Sequence, residues 1–455
     1  MRFNAEQIAA ATGGEVLRPG GEGAVLTDTR ALSAEAWYLA LRGERFDGHD
    51  FLDNIEHAVG CVVDRELPEG WGRGAVRVSD TTRALQDLGR AARARLTAPV
   101  VALTGSSGKT TTRSLIHAAL SQMGAVHQTG GNLNNHLGVP MTLLAAPLDA
   151  DAVVVEMGTS SPGEIDFLAR IAQPDVRLIV NVGPAHLQEL GGLAGVAREK
   201  GAIFSTARAG DLLVVNLDDP FVRRIPRPAG TRVLSWGVAE DADIRLVSSA
   251  LEAAQLGTVA VFETPVGRVT AHLQAPGEHV AHDAGAALAV ALGLGLDLHR
   301  AAADMSAWRP VGMRLRREPL PRGATALNDA YNANPASMIS SLRTLASLPG
   351  VRVAVIGDML ELGAGEADWH QAVIRDALAL GLDQLVVVGA RMAAAAHALG
   401  VSQQIAVYAD PLDAAPSLCA ALTEAHVVLF KGSRGTRVER VLQMLQAEDG
   451  LCSTT

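Results

Sequence analysis

From Pro99 onward, short apolar runs alternate with stretches of helical period. VVALTG (100–105), AVVVEMG (152–158), VRLIVNVG (176–183) and DLLVVN (211–216) are continuous and rich in branched residues, and each precedes a helical stretch. Strands buried on both faces read this way, so the pattern predicts a doubly wound domain with a mostly parallel sheet. Between 231 and 273 the runs TRVLSWG, GTVAVFET and GRVTAHL alternate instead, which predicts an antiparallel flap before the Ala-rich helix that follows Pro276 and Gly277. Trp308-Arg309-Pro310-Val311-Gly312 breaks both periods and reads as a linker.

A second series follows: ATALNDA, VRVAVIGD, QLVVVG, QIAVYA and HVVLFKG are strand candidates separated by helical stretches. The first 80 residues differ, with short strands and loops such as AVLTDTR and GERFDGHDF. The expected fold class is α/β in three domains: a small α/β domain over 1–80, a central phosphate-loop domain over 81–312, and a Rossmann-like α/β domain over 313–455. No internal repeat or low-complexity segment is visible.

Composition narrows the class. With 455 residues, 48% hydrophobic and 19% charged, the chain is too long for one ordinary core and too apolar to be disordered. A formal charge of -10, from 39 basic and 49 acidic side chains, argues against a nucleic-acid partner. Cys61, Cys419 and Cys452 form neither a CxxC pair nor an even set for a disulfide framework, which fits a reducing cytoplasm. The opening MRFNAEQIAAATGG has a polar helical pattern and no run is long enough to span a membrane, so a cytoplasmic, non-exported protein is expected.

The strongest motif is Thr104-Gly105-Ser106-Ser107-Gly108-Lys109-Thr110-Thr111, set between an apolar strand and a helix. Glycines let backbone N–H groups curl around phosphate, the helix start adds positive potential, Lys109 supplies a point charge, and the Thr110 hydroxyl suits magnesium. Leu103 stands where the longer GxxxxGK[ST] loop needs glycine, so this is the shorter TGxxGKT form. Glu156 ends its strand at the edge of the sheet where ligands bind; it either joins Thr110 and nucleotide phosphates around magnesium or caps the next turn. His186, in NVGPAHLQELGG, lies past the next strand on the same edge and is either a metal ligand or structural.

The order of motifs after this loop resembles one family. GNLNNHLGVPMTLL, VVVEMGTSSPGEI, NVGPAHL, GGLAGVAREKGAIF, the Gly277-x-His279 helix, NDAYNANPASM, VAVIGDMLELG and FKGSRG follow one another as in the Mur ligases, and YNANP with GDMLELG resembles the branch that adds D-alanyl-D-alanine. TDTR and GERFDGHDF resemble that family's UDP-sugar recognition domain. The resemblance implies ATP and Mg2+ as cofactors, UDP-MurNAc-tripeptide and D-alanyl-D-alanine as substrates, and a monomer. It implies acyl activation by ATP, with no protein nucleophile.

By the same resemblance, Thr110, Glu156, His186 and Lys200 surround the metals, with Lys200 carbamylated; on the residues alone Lys200 is a lysine on an amphipathic helix. Carbamylation would turn a repelling ammonium into an anionic oxygen ligand. Lys109, Lys200, His186 and Arg314 are the catalytic set, Arg314 reaching the phosphates from the interdomain joint, or else belonging to a surface basic cluster. Asp283, Tyr331 and Asn332 join the loop residues 104–111 around the nucleotide, Tyr331 by stacking on adenine. Thr29, Arg30, Asp47, Gly48, His49, Asn134, Asn135, Asn334, Lys431, Ser433 and Arg434 contact substrate. Asp358 and Glu361 hold the incoming ammonium or cap a helix, and the Asn and Pro residues of YNANP equally suit a simple turn. Two departures stand out: Asp283 replaces the family's usual Asn, and TDTR replaces tDSR, with Thr29 keeping the hydroxyl. Other Mur-type ligases, folylpolyglutamate synthases, a regulatory NTPase and a non-catalytic nucleotide-sugar binder are the competing readings.

Overall fold

The computed structural model describes residues 1–252 and 256–447; Cys452 lies outside them. Three sheets follow one another along the chain. The first is built from β1 (Arg2–Phe3), β2 (Glu15–Arg18), β3 (Gly23–Leu26), β4 (Ala36–Leu39), β5 (Gly60–Val63) and β6 (Gly74–Arg77), in the order β1-β3-β4-β5-β6-β2. Its four inner strands are parallel and its two edges antiparallel. Helix α1 (Ala5–Thr12) starts at a capping box between Asn4 and Gln7 and stops at Gly13, which takes the left-handed φ of 66° that glycine tolerates. Helix α2 (Thr81–Arg95), capped by Asp80, packs on α1 and on the helices below the second sheet.

The second sheet holds β7 (Val100–Thr104), β8 (Val126–Gln128), β9 (Ala152–Glu156), β10 (Val176–Ile179), β11 (Leu212–Asn216), β12 (Arg232–Gly237), β13 (Ile244–Glu252), β14 (Gly257–Thr264) and β15 (Gly267–Leu273). Its order is β15-β14-β13-β12-β11-β10-β7-β9-β8. The helices are α3 (Lys109–Ala119), α4 (Gly138–Ala145), α5 (Glu164–Ala172), α6 (Leu187–Leu190), α7 (Leu193–Ser205), α8 (Glu278–Gly293) and α9 (Leu298–Met305). Strand β7 is wholly buried, and so are β9, β10 and β11, which is why their sequences carry no alternation. The expected flap needs correction: β12 pairs parallel to β11, and only β13 to β15 are antiparallel, as a continuation of the same sheet. Strand β13 escapes the apolar pattern because five of the nine residues of IRLVSSALE are polar or small and only Ile244 and Leu246 are buried.

The third sheet runs β16-β17-β21-β18-β19-β20. It comprises β16 (Arg316–Pro319), β17 (Thr325–Asn328), β18 (Val351–Gly357), β19 (Gln384–Val388), β20 (Ala406–Tyr408) and β21 (His426–Lys431), with α10 (Pro335–Ala346), α11 (Glu366–Ala379), α12 (Ala390–Ala398), α13 (Ala415–Ala421) and α14 (Glu439–Ala447) on its faces. All pairs are parallel except the short edge strand β16. Cys61 and Cys419 are buried in the apolar cores of the first and third sheets. No helix among the described residues is long and apolar enough to cross a membrane.

Candidate active site

In the second sheet, β7 sits between β9 and β10, so the chain leaves its C-terminal end toward one side and later returns on the other. Such a reversal opens a crevice at the strand ends. The phosphate loop fills it: β7 ends at Thr104, Gly108 adopts φ 74°, and α3 begins at Lys109. A Cβ at Gly108 would also sit 3.2 Å from Asp283, so a larger residue there is opposed by both backbone and space. The amides of Ser106 and Ser107 are already taken by Asn181 Oδ1, at 3.1 and 3.0 Å. The donors left for phosphate are therefore the first-turn amides of α3, which have no intrahelical acceptor. Lys109 Nζ folds back on Gly105 O at 2.8 Å, and burial lowers its pKa. Thr104 is corrected: it is 0% exposed inside β7, with its hydroxyl unpartnered among the described residues, and does not line the cavity.

Glu156 is buried at the end of β9. Its Oε2 accepts from Thr110 Oγ1 at 2.9 Å and from Arg113 Nη1 at 3.1 Å, and its Oε1 from Asn134 Nδ2 at 2.9 Å. Asn135 instead accepts from the Gly138 amide at 2.9 Å at the start of α4. A hydroxyl and a carboxylate thus converge at the start of α3, a donor set that fits a hard divalent cation. His186, in the left-handed region at φ 52°, places Nδ1 2.9 Å from Glu361 Oε2; Glu361 is itself at φ 63°. Burial lowers the His186 pKa. Lys200 on α7 is 2% exposed with no hydrogen bond or ion pair among the described residues, and desolvation, then the charge of Lys109, holds its pKa well below the usual value. A neutral amine in such a place fits carbamate formation.

The third sheet aims three loops at the same crevice, because β17, β18 and β21 are parallel neighbours. A cavity of about 530 Å³ lies between these loops and the phosphate loop. The loop after β17 carries Asp329, whose carboxylate takes Lys431 Nζ at 2.6 Å and Ser341 Oγ at 2.7 Å. Tyr331 is corrected in part: the Arg314 guanidinium lies 3.8 Å above its ring, so one face is unavailable to a base. Asn332 Oδ1 accepts from the Ala333 amide, while Asn334 caps α10 and reaches Ser106 O at 3.5 Å. Asp358 is corrected toward its capping alternative, since its Oδ1 accepts the Met392 amide at 2.8 Å in the first turn of α12. Ser433 ties the three loops together through the Leu360 amide and Ala333 O, and Arg434 pairs with Glu439 at 2.9 Å.

In the first sheet Asp47 accepts from His49 Nδ1 at 2.6 Å and contacts Arg65. Desolvation pushes the Asp47 carboxyl up, but the His49 hydrogen bonds and the Arg65 charge outweigh it and hold the pKa at about 2. The Gly48 amide donates to Leu41 O at 2.7 Å, and its carbonyl accepts from Tyr38. Thr29 opens a short turn in which Arg30 folds onto Asp28 at 2.7 Å. Burial raises the Asp283 pKa to about 7.

Three groups escaped the sequence reading: Arg113, Asn181 and Asp329. Each had a signal. Arg113 lies one turn beyond Thr110 on the same helical face, Asn181 follows an apolar strand, and Asp329 opens the turn before Tyr331.

Residues 103–291 match the model of the Mur ligase middle domain, and 313–434 that of the Mur ligase glutamate ligase domain. The UDP-N-acetylmuramoyl-tripeptide–D-alanyl-D-alanine ligase of Escherichia coli is 36% identical over 437 residues, 94% of each chain. MurF from Acinetobacter baumannii superposes with a TM-score of 0.89 at 33% identity, covering 98% of this chain and 99% of that one. MurF ligase from Thermotoga maritima, in complex with ADP, gives 0.83 at 29% identity, with 94% and 98% covered. Sequence and fold agree: the chain belongs to the Mur ligase family.

Proposed function

We propose that this chain joins D-alanyl-D-alanine to UDP-N-acetylmuramoyl-tripeptide in the cytoplasm, as a monomer, with hydrolysis of ATP to ADP and phosphate. The observation that carries the reading is one cavity bounded on one side by the phosphate loop and Glu156 and on the other by the loops holding Tyr331 and Lys431. The peptide carboxylate is activated as an acyl phosphate, and the dipeptide amine displaces phosphate to form the amide.

The first-turn amides of α3, Lys109 and Arg314 hold the phosphates and stabilise the charge that grows on the transferring group. Thr110, Glu156, His186 and a carbamylated Lys200 would hold magnesium, which when bound offsets phosphate charge. Asp283, Tyr331 and Asn332 border the rest of the nucleotide. Thr29, Arg30, Asp47, Gly48 and His49 bind the uridine diphosphate end. Asn134, Asn135, Asn334, Glu361, Lys431, Ser433 and Arg434 orient the peptide and the amine, mostly through the loops they fasten. We assign 1–80, 81–312 and 313–455 as three domains, one per sheet. Positioning by closure of the third domain does most of the catalytic work.

The test is phosphate release with UDP-MurNAc-tripeptide, ATP and a panel of amines, followed by product mass. D-alanyl-D-alanine should give a ligated product, and D-glutamate, diaminopimelate and lysine should not. Phosphate release without any amine or carboxylate would point to a switch NTPase instead.

A further inference from the structure

Glu156 has a buried cation on it, a feature its expected partnership with magnesium does not require. Arg113 Nη1 and the Thr110 hydroxyl share Oε2, Asn134 holds Oε1, and the Arg113 and Glu156 side chains are only 5% and 3% exposed. The guanidinium is anchored again on Gly131 O at 3.2 Å, so the pair is fixed in place. Separating such a pair is costly, because the abandoned charge stays out of water.

Further cations lie close by. Arg314 is within electrostatic reach of both Arg113 and Lys109, and Lys109 of Glu156, and no group of three or more His, Cys, Asp and Glu side chains able to hold a metal ion exists among the described residues. Two of the other cavity carboxylates are engaged elsewhere, Asp329 with Lys431 and Glu164 with the Ser160 and Ser161 amides, and the third, Asp283, is buried beside Gly108, where desolvation raises its pKa to about 7. A divalent cation arriving alone at Glu156 therefore meets a carboxylate already neutralised by Arg113. A nucleotide polyphosphate changes that balance, since it brings several negative charges and oxygen ligands of its own.

We infer that Arg113 is a positioning residue that closes the Glu156 site to free divalent cations, so that the metal enters only as its complex with a nucleotide. This rests on the ATP and metal reading of the cavity. Arg113 fixes the carboxylate toward Thr110 and denies it to a lone ion.

The experiment is a Mn2+ titration of the full chain by electron paramagnetic resonance, with and without a non-hydrolysable ATP analogue, alongside analogue binding by calorimetry. Wild type should bind Mn2+ only with the analogue. Arg113→Met, and Arg113→Gln as a neutral variant that keeps a donor, should each raise nucleotide-free Mn2+ affinity by about tenfold or more. Arg113→Lys should restore exclusion. Tight nucleotide-free Mn2+ binding by wild type, or unchanged affinity in a folded neutral variant, would overturn the inference while leaving the ATP reading intact. Failure of wild type to bind the analogue at all would instead strike the ATP reading and this inference with it. Should neither neutral variant fold, the wild-type titration decides alone.

Discussion

Two residues carry the sharpest chemistry. Lys200 is buried, unpartnered among the described residues and shifted toward the neutral amine, the state that adds CO2. Lys200→Ala should lose most ligation activity and recover part of it with formate or acetate, since a small carboxylate can replace the missing anionic oxygens. Lys200→Arg should not be rescued, because its cation and bulk occupy the space. Initial rates against carboxylate concentration at constant ionic strength decide this, and a fully active Ala variant sinks the role. Asp283 is different: it is a buried acid whose carboxyl keeps its proton to about pH 7, with His282 and the Thr112 hydroxyl opposing the shift. The folded-state pKa lies above the ordinary value of 3.8, so the native state holds the extra proton between these limits, and stability falls as pH rises through that window. Asp283→Asn should be more stable than wild type by on the order of 1 to 3 kcal/mol at pH 8, with little difference near pH 4. Denaturant unfolding at both pH values measures it, and a gap that does not change with pH refutes it.

At the scale of elements, two helix starts face each other across the cavity. Helix α3 begins at Gly108 with no side-chain cap, which leaves its first amides free, whereas α10 begins at Asn334, whose side chain satisfies the Ser337 amide before Pro335 sets the first turn. The same Asn334 touches the phosphate loop at Ser106 O. Asn334→Ala should cost about 1 kcal/mol of stability through the lost cap. Asn334→Ser should recover the cap but not the reach to Ser106. Comparing both variants by thermal unfolding and by KM for ATP separates the two roles: if Ser restores stability and KM together, the contact with the loop does nothing for the nucleotide.

For the whole molecule, the chain between Trp308 and Leu315 joins the second and third sheets, and it contains both Pro310 and the positive-φ Gly312. The third sheet meets the second at the cavity, through the His186–Glu361 and Asn334–Ser106 contacts among others, and one apolar cluster contains residues of both layers. A ligand that made more contacts in a closed than in an open arrangement of the two would shift the population toward closure. Limited proteolysis near 308–314 should slow several-fold with an ATP analogue and UDP-MurNAc-tripeptide together. Cleavage at an unchanged rate would rule out closure about this joint.

Continuous apolar strands and a TGxxGKT loop are local patterns, and they were enough to read the α/β class and most strands of the second and third sheets, but not the short or polar β8, β13 and β16. Strand order is not local. Only the fold puts β7 between β9 and β10 and so brings Glu156 and His186 beside a loop some 50 to 80 positions away. Alternation likewise cannot tell an antiparallel flap from the continuation of a sheet, because β12 owes its direction to β11 and not to its own residues. Side-chain partners depended on tertiary structure most of all. Arg113 carried no reading of its own, Asp358 suited either an ammonium or a helix start, and Tyr331 either a base or a turn; packing places a carboxylate, a helix start and a guanidinium against them. A residue's type sets which interactions it can make; the charge, donor or ring that reaches it comes from distant parts of the chain, and only folding chooses among them.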